Sequence, residues 1–536
     1  MPVIKGKESV KNLLGQVPFT AELYWLVRQR GKPIKSRFSL KGLEKELPEL
    51  VQDGLKFRGQ AEPGKKVFIF ASLHYWIEHA ALLGLLLSAQ GHDVTFGYLP
   101  YADWQKPINQ FDLRRQNAYA RKILGQADEL MKIVPFLNVR TSYKSLPEKV
   151  QELIAQVTMY DSQYTLQNEE VDPECETYQL RLKRNEEAAR TALAVLKDSR
   201  PDVVIVPNGT IQELGIVYRV ARFLEIPAVT YEFGDQRERI WIGQNAEIMR
   251  QETDEMWEAR KEIPFTNKQM KKIKAMFDAR QQGNLWKNFS RLWQESPTKG
   301  AQAAREKLGL DGRPVVLLAT NVLGDSLTLG REVFSQSMAS WISRTVQYFI
   351  GKPDVQLLIR VHPGEVLTHG QSMVDVVHSV MPDLPEHIHL IAPDQKVNTY
   401  DLIELADLGL VYTTTVGLEM AMAGLPVIVS GQTHYRNRGF THDPDSWVRY
   451  FKLMGKILES PEAFRLPQEQ VEKAWEYAYR FFFEFPRPFP WHLVRVWSDY
   501  EEHKLADVLS PGGLEMYGKT FSQLVGERID WKDLEN

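Results

Sequence analysis

Hydrophobic and polar positions along the chain follow the periods of strands and helices in turn. From Lys66, the run KVFIFASLHYWIEHAALLGLLLSAQGHDVTFGYLP joins two β-rich stretches through an apolar helical stretch and a glycine-containing turn. Residues 201–209 (PDVVIVPNG) and 226–234 (IPAVTYEFG) flank a second helical stretch, IQELGIVYRVARFLE. Continuous apolar strands joined by helices are typical of a parallel sheet that is covered by helices. The pattern therefore predicts an α/β domain.

A second alternation begins at residue 313. Five β-rich runs follow one another with helical stretches between them: RPVVLLATN, VQLLIRVHPGE, HIHLIAP, ADLGLVYTTT and LPVIVSG. This order predicts a second, doubly wound parallel sheet. Between the two alternations, the stretches TNKQMKKIKAMFDARQQG and GAQAAREKLGLDG predict two helices that end in glycine, as helices often do. The fold class is therefore α/β, with two tandem Rossmann-like domains.

The length of 536 residues is enough for two sizeable cores, and 43% apolar with 25% charged residues are ordinary globular proportions. The pattern divides the chain into five segments. They are an N-terminal helical extension (1–60), a first Rossmann-like domain (61–250), a helical connector (251–312), a second Rossmann-like domain (313–460) and a C-terminal helical tail with an aromatic run (461–536).

Composition excludes several classes of protein. Lys and Arg number 66 against 69 acidic residues, so a nucleic-acid partner is disfavoured. The single cysteine, Cys175, cannot form an intrachain disulfide or a cysteine-based zinc site. The longest apolar stretch, around His79 to Ala89, is far shorter than the roughly 20 residues of a transmembrane helix. The N-terminus lacks the pattern of a signal peptide, so we expect a cytoplasmic location.

Polar residues follow nearly every predicted strand of the second domain, at the edge where open parallel sheets bind ligands. The candidates for contacts with a nucleotide and its phosphates are Asn321, Arg360, His362, Glu365, Thr413, Thr414, Thr415, Gly417, Glu419, His434, Tyr435 and Arg438.

The turn from Thr413 to Gly417 offers hydroxyls and backbone N–H groups at the start of a helix, where a phosphate is favoured. Glu419 can accept hydrogen bonds from ribose hydroxyls. In the alternative interpretation, Thr415 caps the helix, and Glu419 only stabilises the first turn of that helix.

His362 ends a predicted strand before Pro363 and can donate to a diphosphate, or else it is a structural strand-end residue. The basic loop from His434 to Arg438 either neutralises phosphate or is simply solvated. The DPD sequence that begins at Asp443 resembles a metal-binding DxD motif, but Pro444 suits the first turn of a helix. Asp443 is therefore expected to be an N-cap, and no metal site is predicted.

The motifs IRVHPGE, VYTTTVGLEMAMAGLPVIVSG and HYRNRGFT, with TNVLGDS upstream, resemble bacterial capsular polysaccharide biosynthesis proteins of the GT-B glycosyltransferase type. The resemblance covers roughly Pro314 to Tyr450. It implies that His362 with Pro363, and the three threonines Thr413 to Thr415, hold the phosphate of a sugar nucleotide. No cofactor is implied. The layout also resembles UDP-N-acetylglucosamine 2-epimerases, whose glutamate pair is replaced here by Glu419 and Met420, which disfavours epimerase chemistry.

If the transfer inverts configuration, the first domain has to supply a general base for the acceptor hydroxyl. The residues that follow its strands are His74, Glu78 and His79, then Asn208 and Glu213, then Glu232 and Asp235. We predict Glu232, His74 and Asp235 as catalytic candidates. Alternatively, Glu232 anchors its loop through Arg237 or Arg239, and His74 is a buried, hydrogen-bonded turn residue.

The aromatic run at 477–497 indicates either contact with a membrane surface or packing on a domain face. Packing is favoured, because Pro486, Pro488 and Pro490 prevent a continuous amphipathic helix. The predicted function is transfer of a sugar from a nucleotide sugar to a surface polysaccharide or its lipid-linked precursor, at the inner face of the membrane. Alternatives are a nucleotide-sugar 2-epimerase, a glycerol-phosphate polymerase, and a non-catalytic export or scaffold component.

Overall fold

The computed structural model describes residues 3–32, 38–141, 143, 145–286, 289 and 296–534. The chain divides into two compact units, and each unit is built from three separate segments of the sequence. The first unit comprises Met1–Asp161, Asp172–Met249 and Arg487–Ile529, and the second comprises Ser162–Val171, Arg250–Pro486 and Asp530–Asn536.

The strands alternate with helices through most of both units. They are β1 (Lys66–Ser72), β2 (Asp93–Leu99), β3 (Met131–Pro135), β4 (Val203–Pro207), β5 (Ala228–Glu232), β6 (Arg239–Gln244), β7 (Val315–Ala319), β8 (Gln356–Arg360), β9 (Ile388–Ile391), β10 (Leu408–Val411), β11 (Val427–Val429) and β12 (Arg487–Pro488).

The α-helices, in chain order, are α1 (Val3–Gln16), α2 (Thr20–Val27), α3 (Lys41–Arg58), α4 (His74–Ala89), α5 (Gln110–Leu124), α6 (Glu148–Leu166), α7 (Glu176–Ser199), α8 (Gln212–Phe223), α9 (Asp254–Arg260), α10 (Asn267–Gln281), α11 (Ala301–Leu308), α12 (Met338–Ile350), α13 (Met373–Val380), α14 (Thr399–Leu405), α15 (Val416–Met422), α16 (Trp447–Glu459), α17 (Gln468–Tyr479), α18 (Val496–Glu502), α19 (Leu505–Val508) and α20 (Pro511–Leu524). No helix among the described residues is both long and apolar enough to cross a membrane.

The sheet of the first unit has the order β12-β6-β5-β4-β1-β2-β3. The five strands from β5 to β3 in this order run parallel, whereas β6 and β12 are antiparallel additions at one edge. Strand β4 is buried at every residue, which is why it consists of an unbroken apolar run. The predicted βαβ units, β1-α4-β2 and β4-α8-β5, are both present.

The sheet of the second unit has five strands in the order β11-β10-β7-β8-β9, and all of its pairings are parallel. These are the five strands that the apolar runs predict. One core cluster packs on them, and its fully buried members include Trp341 and Phe349 of α12 and Tyr450 of α16. The predicted fold class, two Rossmann-like α/β units, is confirmed.

The two helices predicted in the connector are also confirmed. Helix α10 begins with a capping box, in which Thr266 and Gln269 satisfy each other's backbone N–H groups. Helix α11 ends at Gly309, whose φ of 66° is the left-handed conformation that glycine adopts at helix ends.

The segment that the sequence groups as one tail, 461–536, is divided between the two units. Its aromatic run continues α17 into a π-helix, Arg480–Glu484, and then pairs β12 with β6. Phe489 and Trp491 are fully buried. The rings of this run therefore pack in protein cores, and the membrane-contact interpretation of the run is wrong.

Trp491 links three parts of the first unit, since its indole N–H donates to the carbonyl of His503 (2.8 Å) and its own carbonyl contacts His79 Nε2 (3.2 Å). We expect Trp491→Ala to lower the free energy of unfolding by about 3–5 kcal/mol, because it removes a large buried side chain and leaves a cavity. Val494→Ala is the control, because Val494 is exposed in the same segment. Urea unfolding followed by circular dichroism measures both, and equal midpoints for the two variants would contradict the assignment.

Candidate functional site

Three adjacent strands of the first unit bring its candidate residues to one edge. Strand β4 lies between β1 and β5, and all three run parallel. The carboxyl ends of parallel strands meet at the same edge of a sheet. His74 follows β1, Asn208 follows β4, and Glu232 is the last residue of β5.

Glu232 combines two hydrogen bonds with a raised pKa. Its carboxylate accepts hydrogen bonds from Asn208 Nδ2 (3.1 Å) and from the backbone N–H of Phe233 (3.1 Å). Burial raises its pKa to about 7, although both hydrogen bonds favour the charged form. A carboxylate with a pKa near the working pH is suited to proton transfer.

The causes of the raised pKa of Glu232 are burial, Asn208 and the backbone of Phe233. The alternative in which Glu232 anchors its loop through Arg237 or Arg239 stays a prediction. Asp235 is half-buried three residues beyond the end of β5. Its predicted catalytic role stays a prediction.

His74 is the first residue of α4 and is half-buried. Its Nδ1 atom is buried and makes no hydrogen bond within the described residues, so the predicted alternative of a hydrogen-bonded turn residue does not fit this atom. Burial lowers the pKa of the imidazole, which keeps it neutral at physiological pH. His74 is therefore a second group at this edge that is able to accept a proton.

Backbone strain concentrates beside these residues. Leu73 (φ 68°), Asn208 (φ 58°) and Gln212 (φ 60°) all adopt the left-handed region, which is costly for residues other than glycine. Asn208 is held there because its side-chain oxygen accepts from the backbone N–H of Thr210 (3.1 Å). Such strain is characteristic of sites where exact side-chain placement matters.

The remaining polar residues of this edge are structural. Glu78 accepts from Trp497 Nε1 (3.0 Å) and is buried. His79 is fully buried, which lowers its pKa to about 3. Glu213 accepts from the buried Arg181 (2.9 Å). None of the three is placed to take part in proton transfer.

In the second unit, the neighbouring strands β10, β7 and β8 bring Thr413, Asn321 and His362 to one edge. Asn321 Oδ1 accepts from the backbone N–H of Thr413 (3.2 Å). Thr320 Oγ1 accepts from the backbone N–H of His362 (3.0 Å). The sequence pattern does not single out Thr320, although its position directly after β7 is a usable signal. These bonds fix the three strand ends relative to one another.

His362 and Thr413 present hydrogen-bond donors at this edge. His362 is exposed, and its Nδ1 accepts from the backbone N–H of Gly364 (3.0 Å), which assigns the ring proton to Nε2. Thr413 is half-buried, and its hydroxyl has no hydrogen-bond partner among the described residues. Thr415 occupies the N-cap position of α15 without a side-chain capping bond, so the capping alternative for its hydroxyl is wrong. Thr414 Oγ1 accepts from Val416 N instead (3.4 Å).

Three charged candidates are buried and internally bonded. Arg360 donates to the carbonyl of Ala392 (3.0 Å), and burial lowers its pKa to about 10. Glu365 accepts from the backbone N–H of Met373 (2.9 Å). Glu419 pairs with Arg280 of α10 at 3.1 Å, so its carboxylate is already engaged at the place where a ribose contact was predicted.

The loop from His434 to Arg438 is buried, and its interpretation as a solvated loop is wrong. The ring of His434 stacks on Phe481 with centroids 3.8 Å apart, and burial holds its pKa well below the usual value. Arg438 bonds to Thr253 (3.1 Å) and forms an ion pair with Asp254. Both side chains are therefore committed to contacts within the second unit.

Tyr435 supports the threonine turn from beneath. Its hydroxyl donates to the carbonyl of Thr414 (2.6 Å). A Cβ atom on Gly417 would lie 2.3 Å from this hydroxyl, so Gly417 is required by packing against Tyr435. The roles predicted for both residues in binding a phosphate stay predictions.

The DPD sequence does not cap α16 as expected. Ser446 is the N-cap, and its side chain accepts from Arg449 N. Asp443 instead accepts from the backbone N–H of Asn437 (2.9 Å) and from Thr441 Oγ1 (3.0 Å). The carboxylate thus closes the preceding loop.

No protein-family model and no curated protein matches this chain. Solved structures resemble it only distantly. KpsC of Thermosulfurimonas dismutans, a beta Kdo 2,4 transferase, is 16% identical with a TM-score of 0.36, over 54% of this chain and 82% of its own. A UDP-GlcNAc 2-epimerase of Neisseria meningitidis is 13% identical with a TM-score of 0.24, over 78% and 99%. Streptomyces glycosyltransferase SsfS6 is 10% identical with a TM-score of 0.23, over 78% and 96%. Because these TM-scores are low, the fold assignment rests on the two sheets themselves.

The raised pKa of Glu232 has a consequence for stability. The folded chain favours the protonated carboxyl, so Glu232 destabilises the fold as pH rises from its ordinary pKa of 4.5 through about 7. We expect Glu232→Gln to become more stable relative to the unmodified protein between about pH 5 and about pH 8. Glu129→Gln, at an exposed position, is the control. Urea midpoints at the two pH values measure this, and a constant difference would contradict the burial of the carboxylate.

Proposed function

We propose that the protein is a glycosyltransferase that moves a sugar from a nucleotide-sugar donor to a surface polysaccharide or its lipid-linked precursor. The proposal rests chiefly on one observation: the half-buried carboxylate of Glu232 lies at the carboxyl edge of the first unit's sheet, where Asn208 holds it (3.1 Å) and desolvation raises its pKa to about 7. A glycosyl transfer that inverts configuration needs such a base. The resemblance of the second unit's motifs to capsular polysaccharide biosynthesis proteins supports the same conclusion.

In this scheme the second unit binds the donor. The Nε2 proton of His362 and the hydroxyl of Thr413 donate to the phosphate that leaves with the nucleotide. Donors placed in advance around a developing negative charge stabilise the transition state without reorganisation. These groups supply the stabilisation that a metal ion supplies in other transferases, and no cofactor is assigned.

The first unit binds the acceptor. Glu232 takes the proton from the attacking hydroxyl as the new bond to the anomeric carbon forms and the bond to the phosphate oxygen breaks. Asn208 positions the carboxylate through its hydrogen bond. His74 is the alternative base, because its imidazole is neutral and its Nδ1 is buried at the same edge.

Two other reactions fit a similar architecture. A nucleotide-sugar 2-epimerase would interconvert sugar nucleotides without releasing nucleotide, and a glycerol-phosphate polymerase would release CMP from an alcohol-phosphate donor. The pairing of Glu419 with Arg280 adds to the case against an epimerase, because that carboxylate already faces a basic side chain of the same unit. A non-catalytic scaffold would show neither reaction.

His362→Ala is expected to weaken nucleotide binding by about 1.5–3 kcal/mol, the range for hydrogen bonds that involve a charged group. Thr413→Val should act in the same direction, because it removes the hydroxyl and keeps the branched shape. His378→Ala is the control, since His378 is exposed on α13 and its Nδ1 lies 2.9 Å from the nearby carbonyl of Pro382. Calorimetry of the unmodified protein with UDP, GDP, CDP, CMP and dTDP identifies the nucleotide that binds. The affinity of the three variants for that nucleotide is then measured in the same way. Unchanged affinity in a folded His362→Ala variant would overturn the phosphate assignment.

Glu232→Gln is expected to lower the transfer rate by about 10²–10⁴-fold, the usual contribution of a general base, with nucleotide affinity unchanged. The activity of the unmodified protein should rise with pH through about 7, since the base has to be deprotonated. Asn208→Ala should move this rise to higher pH, because the lost hydrogen bond favours the charged carboxylate. A full rate in Glu232→Gln, with the pH profile shifted in His74→Ala, would transfer the role to His74.

A further inference from the structure

Exposed apolar side chains concentrate on the first two helices of the chain. In α1, Val10, Leu13 and Leu14 repeat at the spacing of one helix face, and the exposed Val17 follows directly after the helix. A second stripe, on α2, follows the same spacing and lines a groove of about 470 Å³. We call these side chains the N-terminal apolar face: Val10, Leu13, Leu14, Val17, Phe19, Leu23, Tyr24, Leu26 and Val27, each more than a third exposed.

The opposite side of this helix pair is held to α5 by polar contacts. Arg114 of α5 donates to Glu22 (3.0 Å) and to the backbone carbonyls of Gly15 (2.9 Å) and Val17 (2.8 Å). Lys11 pairs with Asp112 (2.7 Å). Ala21 and Trp25 of α2 are buried as well, and the ring of Tyr24 contacts that of Phe111. Helix α2 therefore carries apolar side chains on both its buried and its exposed sides, whereas a surface helix without a partner normally exposes a polar face.

Phe19 connects the two helices with a φ of 62°, a conformation that is a genuine outlier for a bulky residue. Its side chain is 72% exposed. A largely exposed aromatic ring is thus held at the tip of the helix pair at a cost in backbone strain. Strain of this kind is retained where the presented group has a use.

Positive charge borders this face. Arg28, Arg30 and Lys32 follow α2, are exposed, and make no ion pair with a carboxylate among the described residues. Lys122 of α5 adds its ammonium group beside Gly31. Residues 1–40 contain eight Lys or Arg against two Glu, whereas the whole chain has a net charge of -3. Glu22, and Asp112 of the neighbouring α5, are both bonded to basic side chains.

From this combination we propose that the N-terminal apolar face docks the protein on an anionic lipid bilayer. Apolar side chains enter the boundary between headgroups and acyl chains, while the bordering arginines and lysines meet the lipid phosphates. A second copy of the chain is a poorer occupant, because a two-fold symmetric contact would bring the same cations of both copies together. This inference concerns a surface apart from the candidate active site and does not depend on the proposed reaction.

The test is co-sedimentation of the full chain with two kinds of vesicle, phosphatidylcholine alone and phosphatidylcholine mixed with phosphatidylglycerol. We expect binding to the mixed vesicles that falls as salt is added. Leu23→Ser with Leu26→Ser should weaken it by about tenfold or more, through lost apolar burial. Arg28→Gln and Arg30→Gln should each weaken it by about fivefold, from roughly 1 kcal/mol per basic residue near an anionic surface.

The Phe19→Gly variant distinguishes an effect on vesicle binding from an effect on the stability of the fold. Glycine adopts the observed φ more readily than phenylalanine, so the melting temperature should stay equal or rise while vesicle binding falls. The matched controls are Met516→Ser, at an exposed apolar position on α20 of the same unit, and Lys456→Gln, at an exposed position in the second unit. Neither control should change vesicle binding.

Three results would overturn the proposal. They are no binding to the mixed vesicles, equal binding to both kinds of vesicle, and binding that persists in the leucine and Phe19 variants. Size-exclusion chromatography with light scattering distinguishes the rival occupant. A dimer that dissociates in the Leu23→Ser, Leu26→Ser variant, with no vesicle binding by the unmodified protein, would assign the face to a second copy.

Discussion

Parallel pairing of the central strands is the constraint on which both units depend. Because neighbouring strands such as β1 and β4, or β7 and β8, run in the same direction, their carboxyl ends share one edge of the sheet. Residues more than a hundred positions apart, such as His74 and Glu232, are brought to that edge by the pairing alone. The chain has to return across the sheet between these strands, and the connecting helices bury the strands.

Desolvation then shifts the pKa values of those groups. At the edge of the first unit the same desolvation acts on an acid and on a base with opposite effects. It raises the pKa of Glu232 toward neutrality and lowers that of His74, so that both are able to accept a proton near pH 7. His79, one helical turn beyond His74, is buried so completely that its low pKa and its two hydrogen bonds leave it a structural residue.

The local sequence was enough to predict the strands that are buried on both faces, because the apolar runs of these strands are continuous. The local sequence was not enough to predict the pairing of β6 with β12. This pairing joins residues about 250 positions apart and therefore leaves no signal in the local sequence. The same distinction applies to the site. The positions of Asn321, His362 and Thr413 follow from strand ends that the sequence shows directly. His434 stacks on Phe481 and Arg438 pairs with Asp254, and both partners come from distant segments of the chain. The sequence therefore shows a basic loop but does not show that this loop is buried.

In the second unit, the charged candidates and the neutral hydrogen-bond donors have different surroundings. Its charged candidates, Arg360, Glu365 and Glu419, are engaged internally because an unpaired charge in a buried position is costly. The groups that present donors at the strand ends are an imidazole N–H and a threonine hydroxyl, and neither needs a formal charge to donate. A ligand at this edge would thus be selected by the direction and spacing of hydrogen bonds more than by net charge. The local excess of positive charge lies instead at the N-terminus, where residues 1–40 carry eight Lys or Arg against two Glu and Arg28, Arg30 and Lys32 border an apolar face.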